Sequence, residues 1–410
     1  MSNVCIVGAG PAGASAALKL SYLGIPCTLI DKAVFPRDKV CGDALSGKVK
    51  LLLSRLDPAI LDRFLQIPQQ PVWGIRFVAP HGKLIDLPFR TDYDPHADEP
   101  APGFVSKRMD FDHFLIKEVK RRSNICFWEG VEIGQMQRSS KGYTIRDKAG
   151  SLLLETPLLI VANGAHSRFS RKEAGMKKEL AHHAAAVRAY YRGVSGFHEH
   201  GFIELHFIDD ILPGYFWIFP LPNGEANVGL GMRSDFVTSK KLNLRRKMEE
   251  IIHTKAGIKE RFAQAKRISK IEGYGLPLGL RGRNISGAHY MLAGDAGHLI
   301  DPLSGEGIGN AMYSGFIAAD QAADCLAAND FSAEMMRAYD KRIDRVLGSE
   351  FGISRQLQKL LSRKWIAVQM ANLIHGNRPL IDFMTAMYND LSVRKKLLNP
   401  LFWLRIIAKR

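Results

Sequence analysis

The sequence predicts an α/β protein: a Rossmann-like dinucleotide-binding domain is interleaved with an antiparallel-sheet substrate domain and followed by a helical C-terminal region. Three observations carry this prediction. An apolar strand runs into a glycine-rich turn at 8–13, strand-like segments crowd residues 184–232, and helical periodicity dominates from residue 307 onward. Strands and helices that alternate around a strand-rich insertion are typical of a parallel sheet interrupted by an antiparallel one.

The N-terminal segment has the pattern of strand, glycine turn and helix. The apolar residues 4–7 lead into G-x-G-x-x-G, and Asp31 ends a second apolar run at 27–30. The glycines permit a tight turn, close approach of the backbone to a pyrophosphate, and close packing of the helix on the strand. The pyrophosphate then lies at the helix N-terminus, and Asp31 accepts hydrogen bonds from ribose hydroxyls. The predicted dinucleotide contacts are Gly8, Gly10, Pro11, Ala12, Gly13, Asp31 and Lys32.

Further elements return the chain to this first domain. Residues 74–78 predict a strand, residues 109–121 a helix, and the continuous apolar run 158–161 a buried parallel strand. The later predicted elements are strands at 186–191, 202–207, 215–219, 227–232 and 290–293, and helices near 242–254 and 307–328. The predicted domain limits are 1–71, 105–170 and 276–330 for the cofactor domain, 72–104 and 171–275 for the substrate domain, and 331–410 for the helical region.

The composition is that of an ordinary globular protein. Of the 410 residues, 46% are hydrophobic and 24% are charged. The five cysteines have no C-x-x-C spacing, which predicts a reducing cytoplasm and neither a disulfide framework nor a zinc site. The N-terminus leaves no room for a targeting segment, and no apolar run reaches the roughly 18 residues of a spanning helix. We therefore expect a cytoplasmic protein without a metal.

The formal net charge of +16 calls for an anionic partner. No nucleic-acid-binding motif is present, so nucleic acid is set aside. From residue 392 onward, basic residues alternate with aliphatic residues and Trp403, without any acid. One interpretation is a peripheral anchor on the inner face of the membrane, where basic side chains attract lipid head groups. The other is a C-terminal helix, capped by Asn399 with Pro400 at its first position, that packs on the protein body.

Three separated segments together resemble a known group of flavoproteins. They are the fingerprint with Asp31, the stretch 105–112 around Arg108, and the run 294–298 that begins Gly294-Asp295. The combination resembles FAD-dependent oxidoreductases with the glutathione-reductase-type fold, which include aromatic hydroxylases, flavin halogenases and geranylgeranyl reductases. The resemblance implies tightly bound FAD, with Arg108 near it and Asp295 on a ribityl hydroxyl or the pyrophosphate side. It also implies cofactor contacts from Gly164 and Gly294.

A glycine-rich loop precedes the long predicted helix at 307–328. Three glycines at alternate positions let backbone N–H groups approach a ligand, and the helix N-terminus adds partial positive charge that suits an anionic reduced flavin. The resemblance places this loop against the edge of the isoalloxazine ring. The contacts it implies are Gly305, Gly307, Ile308 and Gly309.

Alternating aromatic residues favour the geranylgeranyl reductase branch of the group. The segment 212–220 resembles the Y-x-W-x-F-P signature of those reductases, with its leading proline displaced by one position. In a strand Tyr215, Trp217 and Phe219 share one face, which suits a long apolar chain and can stabilise a developing cation. We expect Tyr215 and Trp217 to be catalytic, and all three to bind substrate together with Gly229 and Gly231.

Residues 35–43 resemble the R-x-K-x-C-G stretch of the same reductases, which implies that Arg37, Cys41 and Gly42 lie near the flavin. A thiol beside Lys39 and a glycine turn can have a lowered pKa, so Cys41 is a candidate catalytic residue. A single cysteine can equally be a small packed residue, and both interpretations stay open. Where many relatives carry Asp-Gly, this chain has Asn163-Gly164. The electron source, NAD(P)H or a reduced ferredoxin-like donor, therefore stays open too.

These motifs predict FAD-dependent reduction of carbon–carbon double bonds in an isoprenoid or similarly apolar lipid, by hydride transfer from reduced flavin. An isolated alkene accepts hydride poorly, so a proton must arrive before or with the hydride. One alternative is a flavin-dependent monooxygenase, such as a hydroxylase or epoxidase, or a halogenase of the same fold. Another is a non-catalytic flavoprotein electron carrier at the membrane. His166 and His298 are candidate acid–base groups, although loop histidines are more often structural.

Overall fold

The computed structural model describes residues 3–90, 94 and 99–389. The basic segment from residue 392, for which an anchor or a docking helix is expected, lies outside the described residues. The first ten strands are β1 Val4–Val7, β2 Cys27–Asp31, β3 Ala44–Leu45, β4 Gln70–Val72, β5 Gly74–Val78, β6 Leu84–Pro88, β7 Gly103–Val105, β8 Ile125–Glu129, β9 Ile133–Ser139 and β10 Gly142–Asp147. The next ten are β11 Leu152–Thr156, β12 Leu158–Val161, β13 His183–Arg192, β14 Ile203–His206, β15 Tyr215–Leu221, β16 Glu225–Arg233, β17 Lys266–Arg267, β18 Glu272–Pro277, β19 Ser286–Gly287 and β20 Tyr290–Leu292. The α-helices are α1 Pro11–Tyr22, α2 Gly47–Leu56, α3 Pro58–Phe64, α4 Arg108–Lys120, α5 Arg168–Lys172, α6 Ser234–Ser239, α7 Leu244–Thr254, α8 Ile308–Ala328, α9 Ala333–Ile343, α10 Ser349–Leu361, α11 Lys364–Ile374 and α12 Arg378–Asn389.

A six-stranded sheet contains the N-terminal strand at its centre. Its order is β19-β20-β12-β1-β2-β8, and all neighbours are parallel except β19 and β20. Every residue of β1 and β12 is buried, which explains why both strands are continuous apolar runs. The register places Val7 beside both Val161 and Ile30, so these three strands end level at one edge of the sheet.

Helices α1 and α8 pack closely against each other beside this sheet. A Cβ at Gly315 of α8 would overlap the backbone of Ala12 in α1, so glycine sets the distance between the two helices. Helix α1 begins at Pro11, and in the described part of the chain no side chain caps its N-terminus at Gly10. Its first backbone N–H groups are therefore left for an anion.

A mixed eight-stranded sheet presents the aromatic residues. Its order is β17-β13-β16-β15-β14-β5-β6, with β18 also paired to β13, and β14 and β5 are its parallel pair. The predicted alternation along β15 is confirmed. Phe216 and Ile218 join a hydrophobic cluster that includes α7, whereas Tyr215, Trp217 and Phe219 belong to a separate cluster.

The predicted mixed α/β fold with a helical C-terminal region is confirmed. The predicted elements appear within a few residues of their expected places, as α4 and α8 show. The small sheets β11-β10-β9 and β3-β7-β4 were not predicted, because their strands are either short or largely exposed on one face. Among the described helices, none has the length and apolar character that crossing a bilayer requires. The domain limits remain predictions.

Candidate active site

A cavity of about 1460 Å³ brings the predicted site residues together. At one end it is lined by the glycine turn after β1 and the ends of β2 and β12, and farther along by the aromatic face of β15. Residues of α10, α11 and α12 line it as well. Of the predicted site residues, Gly8, Gly10, Pro11, Ala12, Asp31, Lys32, Arg37, Cys41, Gly42, Arg108, Gly164, Tyr215, Trp217, Phe219, Gly231, Gly294, Asp295, Gly305, Gly307 and Ile308 all line this cavity.

The glycine turn forms a cradle that only glycine can build. Gly8 has φ +100°, and a Cβ there would lie 2.5 Å from the carbonyl oxygen of Ala162. A Cβ at Gly13 would overlap the Gly8 carbonyl, so Gly13 lies behind the turn and sets the helix–strand distance rather than lining the cavity. Gly10 and Pro11 present the uncapped helix N-terminus to the cavity. This arrangement fits the pyrophosphate of a dinucleotide.

Asp31 is fixed at the end of β2 by two backbone donors. Its Oδ2 accepts a hydrogen bond from Ala9 N at 2.6 Å, and its Oδ1 accepts one from Ala33 N at 2.8 Å. Each carboxylate oxygen keeps a further lone pair for a ribose hydroxyl. Asp31 and the cradle together therefore fit the adenosine diphosphate end of FAD.

Arg108 lies in a buried ion-pair cluster at the cavity wall. Its Nε and Nη2 donate to the two carboxylate oxygens of Asp112 at 2.7 Å each, and Arg37 Nη1 is 2.7 Å from Asp112 Oδ2. Burial alone would raise the pKa of Asp112, but the charge and hydrogen bonds of Arg108, with Arg37 beyond, hold that pKa below its ordinary value. The Arg37 guanidinium also reaches within 3.8 Å of the Cβ position at Gly10, which places a cation at the cradle.

The turn at 294–297 joins the cradle to α8. Gly294 has φ +61°, and its N–H donates to Ser314 Oγ at 2.8 Å. Asp295 Oδ2 accepts from Lys39 Nζ at 3.1 Å, and this lysine also lies over the ring of Tyr274. Burial, with a contribution from Arg283, lowers the pKa of His298 to about 4. A neutral imidazole is therefore expected at His298, which makes it a poor acid near neutral pH.

The glycine loop before α8 is held by internal hydrogen bonds. Asp301 Oδ1 accepts from Leu303 N at 3.0 Å and from Ser304 N at 2.8 Å. Gly305 and Gly307 line the cavity, but Gly309 N donates to Glu306 Oε1 at 2.7 Å. The Gly309 N–H is therefore engaged in capping α8, and Gly309 packs against Lys48 rather than the cavity.

The aromatic wall is formed by Tyr215, Trp217 and Phe219. The Trp217 ring centroid is 6.1 Å from each of the other two. Tyr215 OH donates to the Ser304 carbonyl at 2.9 Å, which ties the wall to the glycine loop. A Cβ at Gly229 would overlap the indole, so Gly229 makes room for Trp217 from behind, whereas Gly231 lines the cavity.

The turn containing Cys41 packs on this wall. The Cβ position at Gly42 is 3.4 Å from the Phe219 ring and 3.9 Å from Trp217 Nε1. Burial raises the pKa of the half-buried Cys41 thiol, although the charges of Arg108 and Lys39 act in the opposite direction. The expected lowering of this pKa is wrong, because desolvation outweighs the nearby cations. Cys41 is therefore held as a thiol rather than a thiolate.

Sequence reasoning missed a polar network behind the wall. Asp43 Oδ2 accepts from Asn227 Nδ2 at 2.7 Å and from Tyr190 OH at 2.8 Å. Asn227 Oδ1 in turn accepts from Trp217 Nε1 at 2.9 Å. The sequence did carry one signal, because Asn227 is a polar residue on the same face of β16 as the two glycines under Trp217.

Comparison with known proteins shows the family to which the chain belongs. A family model described as an FAD binding domain matches residues 1–341. The chain is 29% identical over 346 residues to the digeranylgeranylglycerophospholipid reductase of Thermoplasma volcanium, with 83% of each chain covered. It is 29% identical over 368 residues to the menaquinone reductase of Mycobacterium tuberculosis, with 88% of this chain and 84% of that one covered.

Solved structures share the fold. A geranylgeranyl bacteriochlorophyll reductase-like protein from Thermoplasma acidophilum matches with a TM-score of 0.79 at 23% identity, over 92% of both chains. A triple mutant of a flavin-dependent brominase matches with a TM-score of 0.73 at 20% identity, over 95% of this chain and 98% of that one. The chain therefore belongs to the FAD binding domain family, and its predicted resemblance to the FAD-dependent oxidoreductases of the geranylgeranyl reductase group is confirmed.

Proposed function

We propose that this FAD-dependent oxidoreductase reduces carbon–carbon double bonds of an isoprenoid or a similar apolar lipid. The observation that carries the proposal is a cavity shared by the glycine cradle, Cys41, the aromatic wall and a further set of apolar residues. The names of two relatives, a digeranylgeranylglycerophospholipid reductase and a menaquinone reductase, support the same substrate class.

The apolar limb of the cavity is formed by the β5–β6 hairpin and the C-terminal helices. Phe77, Ile85 and Leu87 come from the hairpin, while Met370 and the neighbouring residues of α11 come from the other side. These side chains belong to one hydrophobic cluster. Apolar walls favour a long hydrocarbon chain over a polar substrate, because the binding free energy becomes more favourable as more apolar surface is removed from water.

FAD, when bound and reduced, supplies a hydride for one alkene carbon. The protein must orient the double bond, exclude water and provide a proton for the other carbon. Trp217, held by Asn227, presents an indole face that can stabilise positive charge as it develops on the alkene. Cys41, kept as a thiol by burial, holds a proton at Sγ in the turn beside that face.

A single anaerobic experiment tests this function. The purified holoprotein is photoreduced, a lipid with a geranylgeranyl chain is added, and flavin absorbance and the mass of the lipid are followed. Reoxidation of the flavin with a gain of two mass units per double bond is expected. If the flavin stays reduced with the lipid until oxygen is admitted, and the substrate then gains oxygen or a halogen, a monooxygenase or halogenase is favoured. A lipid that is unchanged under both conditions would favour an electron carrier.

We also propose an anionic electron donor, NAD(P)H or a reduced ferredoxin-like protein. Lys32 and Arg168 line the cavity, whereas Lys148, which also lines it, pairs with Glu132. The positive charge of Lys32 and Arg168 supports an anionic partner. Stopped-flow reduction of the bound flavin by each donor, compared at low and high salt, distinguishes them.

Peripheral contact with the inner face of a membrane is proposed as well. Trp365, in the first turn of α11, is 65% exposed next to Lys364 and Arg363, and α11 also lines the apolar limb. A tryptophan among basic residues suits the interface of an anionic bilayer. Co-sedimentation with anionic vesicles should weaken in Trp365→Ala.

Filling the apolar limb should shorten the substrate that the enzyme accepts. Ala371 is 8% exposed and lines the limb, so Ala371→Phe places a ring where the end of a long chain would lie. We expect KM for a geranylgeranyl substrate to rise about tenfold or more, while a shorter prenyl substrate is reduced as before. Ala327→Phe, at an exposed position of α8, is the control. Equal effects on long and short substrates would contradict this assignment.

Replacing the Cys41 thiol tests its chemical role. Cys41→Ser keeps the size of the side chain but replaces a thiol by a much weaker acid, so we expect about 100-fold slower alkene reduction with FAD retained. Cys126→Ser, at an exposed position, should behave as the wild type. Full turnover of Cys41→Ser and Cys41→Ala with bound FAD would show that Cys41 is a packing residue only.

A further inference from the structure

Asp43 is a buried carboxyl at the cavity that the proposed function has not used. It is 0% exposed and follows Cys41 and Gly42 in a turn where its φ is 66°. Its Oδ2 accepts two hydrogen bonds, from Asn227 and Tyr190, whereas its Oδ1 has no hydrogen-bond partner among the described residues. A buried carboxylate with an unused oxygen is unfavourable. A carboxylic acid with its proton on Oδ1 keeps both hydrogen bonds and carries no charge.

The groups around Asp43 are fixed in orientation. Trp217 Nε1 can only donate, so the amide of Asn227 must turn its oxygen toward the indole and its nitrogen toward Asp43. The same nitrogen donates to the Cys41 carbonyl at 2.8 Å. The aromatic wall, the Cys41 turn and the Asp43 carboxyl therefore form one connected unit.

Two arginines near Asp43 pair with other carboxylates, although the buried Arg188 Nε has no hydrogen-bond partner among the described residues. Arg188 lies over the Tyr190 ring at 4.2 Å and pairs with Asp38 at 2.6 Å, while Arg108 pairs with Asp112. Burial raises the pKa of Asp43 to about 6, although the hydrogen bonds from Asn227 and Tyr190 and the charges of both arginines act to lower it. In this packing Asp43 gains and loses its proton near neutral pH.

We propose that Asp43 holds the proton that resupplies the Cys41 thiol, and thereby sets the pH range in which the site can reduce a double bond. This inference rests on the proposed function. Cys41 and Asp43 are two residues apart in the same turn, and both line the cavity. The Cys41 S–H bond breaks as the new C–H bond forms on the alkene, and the thiolate then takes the proton from Asp43 Oδ1. Water returns a proton to the carboxylate between turnovers, so the alkene gains one proton for each hydride.

Asp43→Asn tests this positioning role with little change in shape. The asparagine oxygen can accept from Asn227 and Tyr190, and its NH₂ takes the place of the protonated Oδ1, but it cannot release a proton. We expect FAD to be retained, alkene reduction to fall about 100-fold, and the decline in wild-type turnover above about pH 6 to disappear. Asp340→Asn is the control, because Asp340 is a carboxyl with a raised pKa that accepts from Ser286 outside the cavity lining.

The melting temperature of the holoprotein gives a readout that does not depend on turnover. A carboxyl whose pKa rises from 3.8 to about 6 on folding stabilises the fold most below about pH 4 and loses that contribution as the pH rises through 6. The melting temperature of the wild type relative to Asp43→Asn should therefore fall over this range and then level off. Tyr190→Phe removes one donor to the carboxylate and should move the inflection to higher pH.

The outcomes separate this inference from the function on which it rests. A flat melting-temperature difference across this range, or wild-type turnover with an unchanged pH profile in Asp43→Asn, would overturn the role of Asp43 alone. A second outcome is that the difference in melting temperature falls with pH as expected while no prenyl lipid reoxidises the reduced wild-type flavin. That result overturns the proposed function and, with it, the role of Asp43 in reduction.

Discussion

Gly8→Ala is expected to abolish retention of FAD and to lower the free energy of unfolding by about 4 kcal/mol or more. Gly8 has φ +100°, which alanine rarely adopts, and its Cβ would lie 2.5 Å from Ala162 O and 2.8 Å from Asn163 Cα. Both are backbone atoms after β12, so no side-chain rotation can relieve the overlap. Strands β1 and β12 would have to separate at the edge that forms the cradle.

Gly150→Ala is the matched control for this prediction. Gly150 also has a positive φ, +86°, but no atom of the residues that the structure describes lies within 4 Å of its Cβ position. Replacing Gly150 by alanine should lower the free energy of unfolding only by the conformational strain, about 1 kcal/mol, and should leave FAD bound. The ratio of flavin to protein absorbance after desalting and the unfolding midpoint in denaturant measure both effects. Retention of FAD by Gly8→Ala would show that this turn is not the cofactor cradle.

The cradle and the aromatic wall could be predicted from the sequence because each follows a local rule. Gly8 and its turn depend on backbone conformation between neighbouring residues, and the shared face of Tyr215 and Trp217 follows from the two-residue period of a strand. The local rule failed at Gly309, where alternation predicts a flavin contact. Its N–H is instead engaged by Glu306, three residues earlier, because the first turn of α8 needs an acceptor.

The Asp43 network could not be predicted in the same way. Asp43 is 147 residues from Tyr190 and 184 from Asn227 in the sequence. Their contacts therefore depend on how the turn before β3 packs against the eight-stranded sheet. The direction of the Cys41 pKa shift could not be predicted from neighbouring residues either. The sequence neighbours of this thiol predict a lowered pKa, but the depth at which the turn is buried decides the direction, and burial is a property of the whole fold.

Asp112→Asn is expected to lower the free energy of unfolding by about 3–5 kcal/mol near neutral pH. Asp112 is 0% exposed and is the shared anion between Arg108, which is 2% exposed, and Arg37. The asparagine keeps the shape but removes the negative charge, so a buried guanidinium is left without its counterion. Denaturant unfolding of the wild type and the variant measures the difference.

A pH series and a surface pair decide whether this effect comes from burial of the charge. Because Arg108 and Arg37 hold the pKa of Asp112 below its ordinary value, the ion pair stabilises the fold above about pH 4, and this contribution is lost as the pH falls through the lowered pKa. The difference in the free energy of unfolding between wild type and Asp112→Asn should therefore become smaller in acid.

Arg378 and Asp382 form a matched surface pair, with the same spacing of four residues and a distance of 3.3 Å, but their side chains are 80% and 46% exposed. Asp382→Asn should change stability by no more than about 0.5 kcal/mol, and an equal loss in both variants would mean that burial does not decide the strength of the Arg108 pair.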